Sequence, residues 1–371
     1  MIGNRTRMAL TMALIGMSLQ TAAWAGEPAA GLKRGTPDVK SAGPLGFGPD
    51  GILFIGDTQG AALFAIDTGD RSASLDKKPV EIKDIVGKAA ALLGASAKQI
   101  MINDMAVNPI SGNIYLSLSR GRGPDSTPIL LKATADGKVE EFALENVPFA
   151  KAELPNAPSA KAQGRGASPR SESITDIAFV DGRVFLAGLS NEEFSSRLIA
   201  IPFPFSGDGF DGAAIEIYHG AHGQFETKSP VRTFVPYRLD DKPYLLAAYT
   251  CTPLVKVAVS DLKAGAHVKG TTIAELGNRN RPLDMVVYQK DGKDFLLLAN
   301  SSRGVMKIPT EGASSAPGIT AHVNGTKGLG YETIDSLKGV LQMDQLDGRR
   351  AVVLVQRDPS GSIDLLTIDL P

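Results

Sequence analysis

One kind of segment recurs six times along these 371 residues: a short strand, a turn carrying Asp, Gly or Pro, then a very apolar strand. The copies are PLGFGPDGILFIGD, DMAVNPISGNIYLSLS, DIAFVDGRVFLAGLS, RTFVPYRLDDKPYLLAAYT, DMVVYQKDGKDFLLLANS and VLQMDQLDGRRAVVLVQR. They begin near Pro44, Asp104, Asp176, Arg232, Asp284 and Val340. A period of roughly 50 to 70 residues is that of a propeller blade with loop insertions. Each apolar strand is followed by a polar corner and a third strand: ALFAID, PILLKAT, RLIAIP, LVKVAV, GVMKIP and SIDLLTI. Five copies then offer an outermost strand: PVEIKDI, VEEFAL, AAIEIY, GTTIAEL and GITAHV. The pattern predicts an all-β, six-bladed propeller of four-stranded blades over residues 44–371. The sixth copy runs out at DLLTIDLP, so residues 28 to 40, within an N-terminal segment 26–43, are expected to supply its fourth strand. Closure of this kind hides edges that would otherwise pair with other chains. A two-sheet sandwich fits six in-phase copies poorly.

Two segments interrupt the pattern. Residues 84–99 (DIVGKAAALLGASAKQ) have helical composition and spacing. Residues 151–172 (KAELPNAPSAKAQGRGASPRSE) are rich in Ala, Pro, Gly and Ser and read as a mobile loop.

The first 25 residues read as a signal peptide. Arg5 and Arg7 precede the apolar run MALTMALIGMSL, and Ala23-Trp24-Ala25 supplies the small-x-small cleavage pattern, with cleavage expected after Ala25. The Arg-Thr-Arg spacing is a partial match to a twin-arginine signal. No later run has membrane length, so a periplasmic or secreted protein without a membrane span is expected. A single cysteine, Cys251, allows no intrachain disulfide. A mature chain of about 345 residues can hold its core by burial alone. The formal net charge of −1 offers no general attraction to nucleic acid or anionic membranes.

In a propeller the innermost strands line a channel, and the loops entering them share a face with the corners between second and third strands. The entries are Gly43-Pro44, Asn103-Asp104, Thr175-Asp176, Val231-Arg232, Leu283-Asp284 and Lys338-Gly339. The corners are Asp57, Ser119-Arg120, Ser190-Asn191, Thr250-Cys251, Asn300-Ser301 with Arg303, and Gln356-Arg357. One mouth is therefore expected to gather Asn103, Asp104, Asp176, Asn191, Asp284 and Asn300 with Arg120, Arg232, Arg281, Arg303 and Arg357. Guanidinium groups match carboxylate and phosphate, so a converging set favours a small or extended anionic ligand. The aspartates also suit a plainer role, capping their own turns.

The loop YHGAHGQFETKSPVRTF enters the fourth blade and holds two of the four histidines, His219 and His222. The corner AAYTCTP of the same blade brings Cys251 to the same rim, with Glu226 and Tyr249 near. Imidazole with thiolate is a ligand set for zinc or copper. The same residues also suit a metal-free binding role, a cysteine nucleophile beside a histidine base, or histidines bonded to backbone over a buried cysteine.

At MINDMAVNPISGNIYLSLSRG, SITDIAFVDGRVFLAGLS and RPLDMVVYQKDGKDFLLLANS the chain resembles the gluconolactonase-like propellers and their NHL-repeat relatives, over most of residues 40 to 370. The resemblance implies six blades and a divalent cation such as calcium on the channel axis. It places Asn103-Asp104 at the family's substrate-contacting pair and Asp284 at a metal-binding Asp. Ala42 stands where those lactonases carry a metal-binding Glu, and Thr175 roughly where they carry an Asn. Alanine can neither ligate a cation nor act as a base, so the lactonase mechanism does not carry over intact. Three functions are open: an anion-binding propeller, a metal-dependent hydrolase or lactonase using Asn103, Asp104, Asp176 and Asp284, and a scaffold for a protein partner using residues 151–172 and the helical insert.

Overall fold

A computed structural model describes residues 31–73, 76–123, 125–163, 168–207, 209–251, 253–358 and 361–371. Residues 1–25, read above as a signal peptide, lie outside the described residues. The strands form six sheets, and the innermost strands touch one another around a closed ring. The molecule is a six-bladed β-propeller.

Second and third strands are buried along most of their length because each blade is sandwiched between two others. Ile52–Asp57 and Ala62–Asp67 are buried at every position. Continuous apolar runs of this kind mark strands covered on both faces. The aromatic and aliphatic side chains of adjoining blades interdigitate into shared cores. Phe54 and Ile52 of the first blade pack with Val184 and Leu186 of the third, and Leu45 and Phe64 pack with Tyr115 and Leu130 of the second.

Ring order differs from chain order. Contacts between innermost strands run second, first, third, fourth, fifth, sixth and back to second. The chain lays down three strands of the first blade, Leu45–Phe47, Ile52–Asp57 and Ala62–Asp67. It then pairs Glu81–Ile82 with Asp364–Asp369 of the sixth blade and builds the second from Ile100–Val107 to Val139–Glu141. Only then does it return to complete the first blade with Val147–Glu153. Blades three to six follow in sequence, with innermost strands Asp176–Val180, Val231–Leu239, Pro282–Lys290 and Val340–Gln345.

Several expectations about outer strands are thereby corrected. Glu81–Ile82, read as the first blade's outermost strand, closes the sixth. The described part of residues 28 to 40 does not close the ring: Lys33–Gly35 pairs outside Val147–Glu153 on the first blade. Residues 151–153 of the expected loop belong to that Val147–Glu153 strand. Residues 318–323 form no strand; Ile319 and Val323 instead pack on Tyr218, and Glu332–Thr333 completes the fifth blade. These outer strands are short and partly exposed, so little in their own side chains selects a partner.

The expected helix is present at Ile85–Leu92. Asp84 caps it by accepting from the Gly87 amide at 3.0 Å, and Ile85, Ala89 and Ala90 are buried in the seam between second and sixth blades. No helix among the described residues is long and apolar enough to cross a membrane.

The closing strand generates a test. Ile82 is fully buried, so Ile82→Ala should cost about 2–5 kcal/mol in urea unfolding. Lys33→Ala, on the exposed outer edge, should change stability by no more than about 0.5 kcal/mol. The reverse order would mean that the N-terminal strand closes the ring.

Candidate functional site

Four innermost strands place an aspartate at the axis. Each carboxylate reaches across a joint to a backbone amide of the next blade. Asp104 accepts from Leu45 at 2.7 Å, Asp176 from Phe234 at 2.7 Å, Asp284 from Met343 at 2.8 Å and Asp344 from Val107 at 2.7 Å. In three of them the other oxygen accepts from the following amide, Ile177, Met285 or Gln345. The other oxygen of Asp104 accepts from Gln342 Nε2 at 3.1 Å. The turn-capping role is therefore real, and it is combined with a joint between blades.

The collar is electrostatically loaded. Burial drives Asp104 up to about 8, and the charges of Asp176 and Asp344 add to it against the Leu45 hydrogen bond. Burial raises Asp284 well above the ordinary carboxylate range, with Asp104 and Asp176 adding to it. Asp176 and Asp344 rise to about 6, chiefly by burial. As residues, the four aspartates are partly rather than fully buried.

Above the collar opens a cavity of about 940 Å³, and below it a smaller one of about 350 Å³. Asn103, Asp104, Asp176, Arg232 and Asp284 line the upper funnel as expected, with Arg281. Arg120, Asn191, Asn300, Arg303 and Arg357 do not line it. They sit on corners between second and third strands, farther from the axis than the entries. Asn300 is buried and spent on Asn280, Leu298 and Gly304, and Arg303 donates to the Asn278 carbonyl. The funnel also takes residues that sequence reading missed: Arg122, Arg170 and Glu172. The last two ride on a short turn, Pro169–Glu172, capped by Ser168, which accepts from the Arg170 amide. Their signal was available, since they directly precede the entry to Asp176.

The arginines are not equivalent. Arg170 is held by the Gln59 and Pro158 carbonyls, and Arg122 by the Lys98 carbonyl. Arg232 pairs with Glu172 at 2.6 Å and donates to Thr250 Oγ1 at 3.0 Å. Among the described residues the Arg281 guanidinium takes no hydrogen bond or ion pair. Burial, then the like charge of Arg232, lowers its pKa, yet an arginine remains protonated at neutral pH.

Ala42 is buried among Leu45, Leu53 and Ile55, and its carbonyl accepts from Asn103 Nδ2 at 2.7 Å. Thr175 gives its hydroxyl to the Val231 carbonyl. Neither residue offers an axial cation a charged ligand. The collar aspartates, Asp284 included, do not gather into a tight ligand group. Among the described residues one group does, and it is His219, His222 and Cys251, with one ligand atom from each lying within 4.8 Å of the others.

This second cluster lies outside the funnel, where the third blade's fourth strand Asp211–His219 hands over to the fourth blade. His222 N and Gly223 N both turn back onto the His219 carbonyl, bringing the two imidazoles to 3.8 Å between centroids at a tilt of 39°. Glu226 lies 2.9 Å from His219 Nδ1 and 2.6 Å from His222 Nδ1, and accepts from Ser229 Oγ at 2.7 Å. A carboxylate only accepts, so each Nδ1 carries the proton. Burial opposes the charge on Glu226, but the bonds from His219, His222 and Ser229 outweigh it and hold the carboxyl well below its usual range.

No protein-family model matches the chain, and no curated protein matches it in sequence. Among solved structures it is similar to the plexin A4 extracellular region, at 9% identity and a TM-score of 0.36, over 93% of this chain and 40% of that one. It is similar to a putative oxidoreductase (glucose dehydrogenase) of Thermus thermophilus, at 10% identity and a TM-score of 0.36, over 91% of this chain and 99% of that one. It is also similar to the PQQ-bound aldose sugar dehydrogenase of Streptomyces coelicolor, at 12% identity and a TM-score of 0.35, over 92% and 99%. Likenesses this distant carry no activity to this chain.

The collar makes stability depend on pH. Asp104 holds its proton up to about 8 in the folded ring, against 3.8 for an ordinary aspartate. Across that window the folded state binds more protons than the unfolded chain, so stability falls as pH rises. Tm should be higher near about pH 5.5 than near about pH 8.5, and Asp104→Asn should flatten the dependence. A profile of equal slope in both proteins would contradict the assignment.

Proposed function

We propose that this chain is an exported binding protein that takes a small or extended anionic ligand, bearing carboxylate or phosphate, in the upper funnel. The observation that carries the reading is Arg281, an unpaired guanidinium beside Arg232 in a cavity of about 940 Å³. Two like charges facing one carboxylate, Glu172, leave a local excess of positive charge that an anion would neutralise. Arg232 is braced by Glu172 and Thr250, which sets its fork in place before a ligand arrives. Below them Asp104, held protonated to about 8, would donate to a neutral oxygen of the ligand. Export rests on the first 25 residues, read as a signal peptide.

The hydrolase reading has less support. Its first-blade carboxylate is replaced by the buried Ala42, and the aspartates it needs are engaged across the blade joints.

Thermal-shift titration of the full chain with citrate, D-gluconate, inorganic phosphate and oligogalacturonate tests the proposal. At least one anion should raise Tm, and the effect should shrink as salt is added. Arg281→Ala should weaken that anion's binding by about tenfold or more, the loss of one hydrogen bond to a charged group. A response to neutral glucose alone, or an anion response that Arg281→Ala leaves intact, would rule the reading out.

A further inference from the structure

The cluster on the rim belongs to neither the collar nor the funnel, and its chemistry is different. Its three members come from two pieces of chain about 30 residues apart: the turn carrying His219 and His222, and the corner carrying Cys251. Both Nδ1 atoms are engaged by one carboxylate, Glu226, which leaves the Nε2 atoms with their lone pairs free. His219 is 2% exposed, and its Nε2 is buried without a hydrogen-bond partner. A buried imidazole nitrogen left unpaired costs free energy unless something occupies it. A carboxylate on Nδ1 is the usual partner of a metal-bound histidine, since it fixes the tautomer and makes the other nitrogen a better donor. Cys251 is fixed in place from the other side. Its backbone sits at φ +62°, a conformation strained for a residue with a side chain, and its amide is tied to the Asn280 carbonyl at 2.7 Å.

We propose that His219, His222 and Cys251 form a three-ligand zinc site on the rim between the third and fourth blades, with Glu226 as the positioning residue for both histidines. A zinc ion bonded at about 2.0–2.1 Å to nitrogen and about 2.3 Å to sulfur needs donors roughly 3.3–3.6 Å apart. One ligand atom of each residue, a ring nitrogen or the sulfur, already lies within 4.8 Å of the others, so bringing three donors onto one ion asks for side-chain adjustments on the order of 1 Å. Two imidazoles and one thiolate suit zinc and exclude calcium and magnesium, which take oxygen. Glu226 and Glu275, whose Oε1 accepts from Gly220 beside the histidines, offset the positive charge of the ion. Three protein ligands leave a fourth position, and the half-exposed His222 marks the side on which solvent would reach it.

The test uses the full chain, stripped of metal by chelation, kept reduced and titrated with cobalt(II), then zinc(II). A single equivalent of cobalt should produce a thiolate charge-transfer band with the visible bands of tetrahedral cobalt, and a single equivalent of zinc should displace it. Cys251→Ser should abolish the charge-transfer band. His222→Ala, at a half-exposed position where folding is not at stake, should weaken zinc binding by tenfold or more. Glu226→Gln should weaken it by about 10–100-fold. The proposal is overturned if the folded wild-type chain gives no such band, or if the band survives in Cys251→Ser. It is overturned equally by a response to copper alone. Alkylation of Cys251 that slows in His219→Ala, with no cobalt signal, would assign the pair to nucleophilic chemistry instead. None of these outcomes touches Arg281, so the anion-binding reading stands or falls separately.

Discussion

A carboxylate that crosses from one blade to a backbone amide of the next is the contact on which the ring depends. All four such contacts point the same way around the axis, from fifth to sixth, sixth to second, second to first, and third to fourth. Each joins a side chain of one innermost strand to the main chain of its neighbour, which fixes how far the blades can slide past one another. Apolar packing between blades is stronger in sum but non-directional, and would tolerate sliding. The cost of the device is concentrated on the axis, where four acids crowd one another. Buried charge of this kind adds little to net stability. Here it specifies register, and protonation of Asp104 relieves the repulsion while leaving an oxygen to accept.

The exchange of strands between first, second and sixth blades fastens the ring a second way. Residues 81–82 pair with 365–366, and residues 149–153 pair with 62–66, so two seams are closed by backbone ladders between distant parts of the chain. Around the first seam Lys77 donates to the Leu346 carbonyl, Arg350 to the Lys77 carbonyl and the Thr367 amide to the Val80 carbonyl. Neither the first nor the sixth blade is complete until chain far away in sequence has arrived. Such non-local closure raises the entropic cost of reaching the native ring and slows folding.

What was legible in the sequence follows burial. The second and third strands are covered on both faces, so their apolar runs are long and their copies could be aligned. The aspartates were visible because they recur at one position of the repeat. The meeting of His219, His222 and Cys251 was foreseeable because loop and corner of one blade share a rim whatever the ring order. The outermost strands were not legible. Glu81–Ile82 and Glu332–Thr333 are two residues each, and pairing of such pieces is decided by the edge that reaches them. The sequence separated arginines on corners from those on entries, but it could not show that the corners lie too far out to line the funnel. Arg303 and Arg357 lie off the axis, while Arg170, in a segment without periodicity, is carried into the funnel by a single short turn.

Funnel and rim are joined through two pairs of adjacent residues. Arg232 bonds Thr250, the neighbour of Cys251; the Cys251 amide bonds Asn280, the neighbour of Arg281. Asn280 is itself locked by Asn300 and by the Ser302 amide. The buried Asn300 therefore acts at a distance from any ligand: it braces the corner that carries Cys251 against the fifth blade. That bracing explains how a cysteine is kept at positive φ. The left-handed conformation costs a residue with a Cβ about 1–2 kcal/mol, and glycine would adopt it without that cost. What a glycine would lack is the thiol. The corner so braced holds the Cys251 thiol near His219 and His222, which is the placement the proposed zinc site would use.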